Sequence, residues 1–245
     1  MRHATAAFLC LLFVGGAVGG FSLAASRSAS TGTHCVGARG RLFDDEFDPR
    51  SSLRNWNTVV GRWRAAGQLE TYTRSALAIQ HGALVVTAAR AGSGFTSGRI
   101  DTASECQFTY GRVEARIETP SGQGLWPAFW LVDSHDINEI DVMEAIGQNS
   151  HWVFGSVHAP AGSSASHAIS ARGYADHYHV YGIVWTPKTI TFTVNYRPYA
   201  VVRNTINSPL YMVLNLAVGG FWPGGPNAHT PFPVRMYVDW VRVYS

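Results

Sequence analysis

Charge is scarce in this sequence. Asp, Glu, Lys and Arg make up 14% of its 245 residues, against about 25% in ordinary soluble domains. Nineteen basic and sixteen acidic side chains leave a net charge of only +3. A bias that weak excludes the dense basic stripe of a nucleic-acid binder and the polybasic face of a protein that binds anionic membranes. Also missing are helix-period segments with Lys and Glu on a polar face, internal repeats, low-complexity tracts and any second linker. What is there instead favours strands and turns: 12% aromatics, 25 glycines and 46% hydrophobic residues, enough to build one sizeable core.

Long hydrophobic runs are confined to the start. Arg2 and His3 precede AFLCLLFVGGAVGGFSLAAS, and no charge returns until Arg27. Residues 1–25 resemble a secretory signal peptide, with Ser22-Leu23-Ala24 as the small-residue cleavage pattern. The alternative is an uncleaved membrane anchor, since the stretch nears the roughly 20 residues that span a bilayer. The glycines and alanines after Val14 dilute its hydrophobicity and favour cleavage. The expectation is a secreted or envelope protein, with residues 26–34 (SRSASTGTH) as a flexible lead and 35–245 as a single domain. Cleavage would remove Cys10 and leave Cys35 and Cys106. In an exported protein these are expected to be bridged, with two buried thiols as the alternative.

Within the domain, Val113, Ala115 and Ile117 alternate with charged residues in RVEARIE. Ile190, Phe192, Val194 and Tyr196 alternate with Thr and Asn. Both segments read as half-buried strands. Further runs at Ala76 to Ala88, Tyr181 to Trp185, Tyr211 to Leu216 and Met236 to Tyr244, separated by Gly/Pro turn signals, predict an all-β fold. The architecture expected is a β-sandwich of jelly-roll type made of two stacked antiparallel sheets.

In so uncharged a chain, NEIDVMEAIG at 138–147 packs three acids into six residues. On a regular strand Glu139 and Asp141 share a face and Glu144 lies on the other. A β-bulge absorbing one residue between Asp141 and Glu144 would bring all three to one face. Glutamates leaning together from that face could reach the about 5 to 5.5 Å carboxyl separation of a retaining glycosidase. Packed like charges would raise at least one pKa, as a general acid requires. Trp126 and Trp130 stand four apart just upstream, and Trp222 sits in a Gly/Pro-rich loop; each is a platform for sugar or, alternatively, a core side chain. His135 and Asp136 could ligate a metal, but hydrolysis by two carboxyls does not need one.

These segments resemble glycoside hydrolase family 16, in its laminarinase-like branch of endo-1,3-β-glucanases. FDDEFD at 43–48, TSGRI at 96–100, YGRVEARIETPSGQGLWPAFWLV at 110–132, NEIDVMEAIG, HVYGIVWTP at 179–187, LYMVLNLAVGGFWPGG at 210–225 and VDWVRVYS at 238–245 carry the resemblance, in the family's order. It implies two curved sheets whose concave face is a β-glucan cleft. By resemblance Glu139 is the nucleophile, Glu144 the general acid and base, and Asp141 the residue that tunes the nucleophile. Arg99, Trp126, Trp130, His158, Asn215 and Trp222 match cleft positions. A structural calcium would map to Glu46, the carbonyl of Gly82 and Asp239, while catalysis needs no cofactor. The partner expected is a polysaccharide, with no nucleic acid, no membrane after cleavage of the leader, and a monomeric chain. One departure touches specificity: Ala66-Gly67-Gln68-Leu69-Glu70 stands where relatives carry an Asn and a Glu before the first long strand. Activity on mixed-linkage glucan or galactan, transglycosylase activity, a non-catalytic β-glucan-binding module and a structural envelope protein are the other readings considered. The intact acids argue against the last two.

Overall fold

Alternating apolar residues and frequent glycine turns produce eighteen strands among the described residues. The first nine are β1 (Arg41–Asp45), β2 (Asn57–Thr58), β3 (Glu70–Tyr72), β4 (Leu77–Gln80), β5 (Ala83–Ala91), β6 (Gly94–Ser97), β7 (Arg99–Asp101), β8 (Gln107–Phe108) and β9 (Gly111–Glu118). The rest are β10 (Leu125–Val132), β11 (Glu139–Glu144), β12 (Trp152–His158), β13 (Ser164–Ile169), β14 (Tyr178–Trp185), β15 (Thr189–Val194), β16 (Arg197–Arg203), β17 (Leu210–Val218) and β18 (Val234–Tyr244). The only helical elements among the described residues are three single 3₁₀ turns. The computed structural model describes Cys35, Gly37 and residues 40–48, 53–63, 65–170 and 172–245. The expected signal peptide and the whole of the lead therefore lie outside the described residues.

Two sheets form the jelly-roll sandwich that the alternation predicted. One runs β16-β15-β14-β9-β18-β5-β6-β3, with β1 also on β18 and β4 on β5. The other runs β13-β12-β11-β10-β17-β7-β2, with β8 on β17. Among the described residues every pairing between these strands is antiparallel except β3 with β6. The inner faces meet in a single core: Val113, Ala115 and Ile117 from β9, and Phe129, Ile140, Met143 and Leu214 from the second sheet, are all buried within it. Burying a side chain of that size stabilises the fold by about 1.5–3 kcal/mol. Cys35 and Cys106 are joined in a disulfide, with Cα atoms 4.4 Å apart, which ties the start of the described chain to the loop before β8.

Two strand readings need correction. The run from Ala76 to Ala88 is a hairpin, β4 and β5, turning at His81-Gly82 with φ of 52° and 77°. The alternation through Tyr196 ends at Val194. Asn195 and Tyr196 take φ of 49° and 65° and connect β15 to β16, and Tyr196 is exposed. Positive φ at both central residues is the two-residue turn whose twist matches a hairpin. Asn signals such a turn, but the aromatic beside it fits the strand pattern equally well.

Candidate active site

β11 lies inside the second sheet between β10 and β12, so its inner face belongs to the core and its outer face is free to carry chemistry. The ladder to β10 pairs Phe129 with Met143 but Trp130 with Asp141, skipping Val142. The ladder to β12 shifts between the same points, from Asp141 opposite Ser156 to Glu144 opposite Phe154. One surplus residue, Val142, makes a β-bulge where the acid spacing required it. Val142 and Met143 both turn into the core, and Glu139, Asp141 and Glu144 all line one outer cavity of about 230 Å³.

That cavity crosses the strands. Trp126, Ala128 and Trp130 come from β10, Asn215 from β17, Arg99 from β7, and Trp63 and Gln68 from the irregular segment before β3. Trp126 Nε1 donates to Glu144 Oε1 at 2.8 Å, and Trp130 Nε1 donates to Asn215 Oδ1 at 2.8 Å. Asn215 Nδ2 in turn donates to the Tyr72 hydroxyl at 3.3 Å. The Arg99 guanidinium lies over two indoles, 4.7 Å from the Trp63 ring and 4.9 Å from the Trp130 ring. Cation–π contact with two indoles keeps the cation in place in the cavity that the acids line.

Burial is the largest influence on all three carboxyls, and it pushes each above its usual range. Asp141 then raises both glutamates by charge repulsion, while His158 opposes it. His158 Nε2 stands 3.1 Å from Asp141 Oδ2 and 3.9 Å from Glu139 Oε1. The indole N–H of Trp126 favours the charged form of Glu144. Like charges this close ionise one at the expense of another, so a proton on two of the acids allows the third to be negative.

Of the cleft residues expected from resemblance, Arg99, Trp126, Trp130 and Asn215 line the cavity. His158 bears on its acids, and Trp222 stands beside it, edge-on to Trp126 at 5.7 Å. Trp63, Gln68 and Tyr72 were not expected. Trp63 carried one signal, an indole in a polar, irregular stretch. In the departing segment, Glu70 does not reach the cavity floor. It is buried, its carboxyl pushed up by desolvation, with Oε2 accepting the backbone N–H of Val218 at 2.8 Å.

The residues assigned to calcium do not fit a cation. Glu46 is held by Arg242 through two contacts of 2.8 Å and by Arg41 at 3.1 Å. Asp239 is bound by Arg116 Nη1 at 2.7 Å. Both carboxylates are already neutralised by guanidinium groups, so together with the Gly82 carbonyl they offer an incoming ion no open charge.

Clustered carboxyls with shared protons, on the floor of an indole-lined groove in a jelly roll, make up the working parts of a glycoside hydrolase. The chain belongs to glycosyl hydrolases family 16, which it matches over residues 65–242. It is 34% identical over 242 residues to the beta-glucanase of Rhodothermus marinus, covering 83% of this chain and 84% of that protein. It is 30% identical over 222 residues to the clotting factor G alpha subunit of Tachypleus tridentatus, covering 82% of this chain and 32% of that one, so the chain spans about a third of that relative. Among solved structures it superposes on the endo-beta-1,3-glucanase from Pyrococcus furiosus with a TM-score of 0.78 and 34% identity, over 84% of this chain and 94% of the other.

Proposed function

We propose that the chain is an exported endo-β-1,3-glucanase that cleaves with retention of configuration. Glu139 is the nucleophile, Glu144 the general acid and then base, and Asp141 the residue that sets the charge on Glu139. The observation that carries this reading is the bulge at Val142, which puts the three acids on one outer face. Glu144 gives its proton to the glycosidic oxygen as Glu139 attacks the anomeric carbon, forming a glycosyl ester and releasing the first product. Glu144, now a carboxylate, takes a proton from water, whose oxygen displaces Glu139. Protons on Asp141 and Glu144 make the negative charge on Glu139 attainable in the first step. Arg99, Trp63 and Trp130 hold the sugar on one flank. Export is supported by the Cys35–Cys106 bridge, since disulfides persist in oxidising compartments. A binding module would have no use for three clustered, desolvated acids whose mutual repulsion destabilises the fold.

Glu139→Gln and Glu144→Gln separate the roles. Both variants should lose most turnover of laminarin. With an aryl β-glucoside whose leaving group needs no acid, azide should restore turnover to the Glu144 variant alone, because a small anion can enter where water needed a base. Equal rescue of both variants, or of neither, overturns the assignment.

A further inference from the structure

Beyond Glu144 the chain keeps to the start of β10. Ala145 donates its N–H to the Pro127 carbonyl at 3.2 Å, and Gly147 donates to the Leu125 carbonyl at 2.8 Å. A Cβ at Gly147 would run into the Gly122 carbonyl, so glycine lets the two segments stay in contact. The next residue, Gln148, is thereby delivered against the loop 219–226 that carries Trp222. Its side chain uses both ends: Oε1 accepts the backbone N–H of Gly124 at 3.2 Å, and Nε2 donates to the Pro223 carbonyl at 2.7 Å. Gln123 Nε2 donates to the same carbonyl at 2.9 Å and also reaches the Gly225 carbonyl at 3.3 Å. A carbonyl oxygen has two lone pairs, and here each has a donor. Proline has no N–H, so that oxygen is the one backbone group by which Pro223 can be held. A proline also narrows the backbone of the residue before it, which is Trp222.

The loop needs that hold. Gly219, Gly220 and Gly224 take φ of 73°, 133° and 71°, and Phe221 is 88% exposed. Yet the same loop is the wall on which the Trp126 indole rests. A Cβ at Gly220 would stand 3.0 Å from the indole ring, and Trp222 meets that ring edge-on at 5.7 Å and 84°. The indole so enclosed donates its N–H to Glu144 at 2.8 Å and favours the charged form of that carboxyl. Rotation of the ring about its side-chain bonds would carry the N–H off the carboxyl. The loop stands in the way of that rotation only while it is itself in place.

We propose that Gln148, supported by Gln123, is a positioning residue for the general acid. The two amides fix the Pro223 carbonyl, the loop then keeps the Trp126 indole from turning, and the indole keeps its N–H on Glu144. The inference rests on the reading of Glu144 as the general acid. Gln148 does not line the cavity over the acids. Its effect on the reaction therefore passes through Trp126, and this separates it from a residue that binds sugar.

The test is Gln148→Met, which keeps the length of the side chain and removes both of its hydrogen-bonding ends, in the full chain with isotope-labelled indole nitrogens read by NMR. The Trp126 indole resonance is identified by its loss in Trp126→Phe. In the native chain it should move with pH as Glu144 titrates. In Gln148→Met it should shift toward the position of an unbonded indole and lose most of that movement. Turnover of laminarin, read as kcat/KM, should fall roughly fivefold, and its alkaline limb should move to higher pH, because a weakened donor favours the carboxylate less. Gln148→Met combined with Trp126→Phe should be no slower than Trp126→Phe alone, as expected of residues that act in series. A merely structural role would lower the melting temperature, leave the resonance and the limb in place, and add its loss to that of Trp126→Phe. An unmoved Trp126 resonance in folded Gln148→Met overturns the proposal. Should that variant fail to fold, Gln123→Met removes the other donor to Pro223 and is judged by the same resonance. If the native chain cuts no glucan at all, the hydrolase reading fails, and the resonance alone decides whether Gln148 holds the indole against Glu144.

Discussion

Trp126 Nε1 and Glu144 Oε1 are 2.8 Å apart, a hydrogen bond from one strand of the sheet to the next. Burial and the charge of Asp141 push the Glu144 carboxyl up, and this donor counters them by favouring the carboxylate. Trp126→Phe keeps an aromatic ring and removes the donor. The Glu144 pKa should then rise further, and the alkaline limb of the kcat/KM profile on laminarin should move to higher pH. Turnover should fall roughly tenfold or more, as expected for a hydrogen bond to a charged group. An alkaline limb that stays in place would show that Glu144 is not the group the profile reports.

The acids should also make the fold less stable as pH rises. A carboxyl whose folded pKa lies above its ordinary value of 4.5 keeps its proton longer folded than unfolded. Its contribution is present in full below about pH 4.5 and is lost as pH climbs through the raised folded value. Glu144→Gln removes that titration while leaving an oxygen to accept the Trp126 N–H. The variant should therefore melt above the native chain, by about 2–4 °C for each kcal/mol recovered. The gap should widen between about pH 4.5 and about pH 8, the interval between the ordinary and the raised Glu144 values. A gap that narrows with pH would mean that the charged form of Glu144 is favoured by the fold, contrary to its burial.

Much of this was legible because it obeys a period of two. Val113, Ala115 and Ile117 announced β9. Three acids out of register announced a bulge, since no regular strand could give them a common purpose. What escaped notice obeys no period. Trp63 sits in an irregular segment, and Tyr72 on a three-residue strand reaches Asn215 across 143 positions. The parallel pairing of β3 with β6 is a matter of tertiary packing rather than of pattern. Glu70 stands in the segment that departs from the family's pattern. Its carboxyl is taken by a backbone N–H that has no sequence signal. The misread hairpins at His81-Gly82 and Asn195-Tyr196 show the limit from the other side, because alternation continues in the letters while the backbone turns through positive φ.

The bulge itself can be tested by deletion. Val142 is the residue that neither neighbouring ladder needs: Phe129 already pairs with Met143, and Ala128 with Glu144. Deleting it leaves Glu139, Asp141 and the second glutamate in strict alternation, with Met143 still facing the core and everything from Ala145 onward on its present face. The loss is one valine side chain, 2% exposed in the core, worth about 2–3 kcal/mol. The variant should fold, melt several degrees lower and retain measurable laminarin hydrolysis. Deleting Ile140 is the contrasting case. No surplus exists between Glu139 and Asp141, so that deletion turns Glu139 toward the core or drives the rest of the strand through the sheet, and it should yield insoluble or inactive protein. Soluble, active chain from the Val142 deletion alone confirms that the acids owe their common face to one extra residue. Equal failure of the two deletions, or survival of the Ile140 deletion instead, would mean that the acids meet by some other geometry.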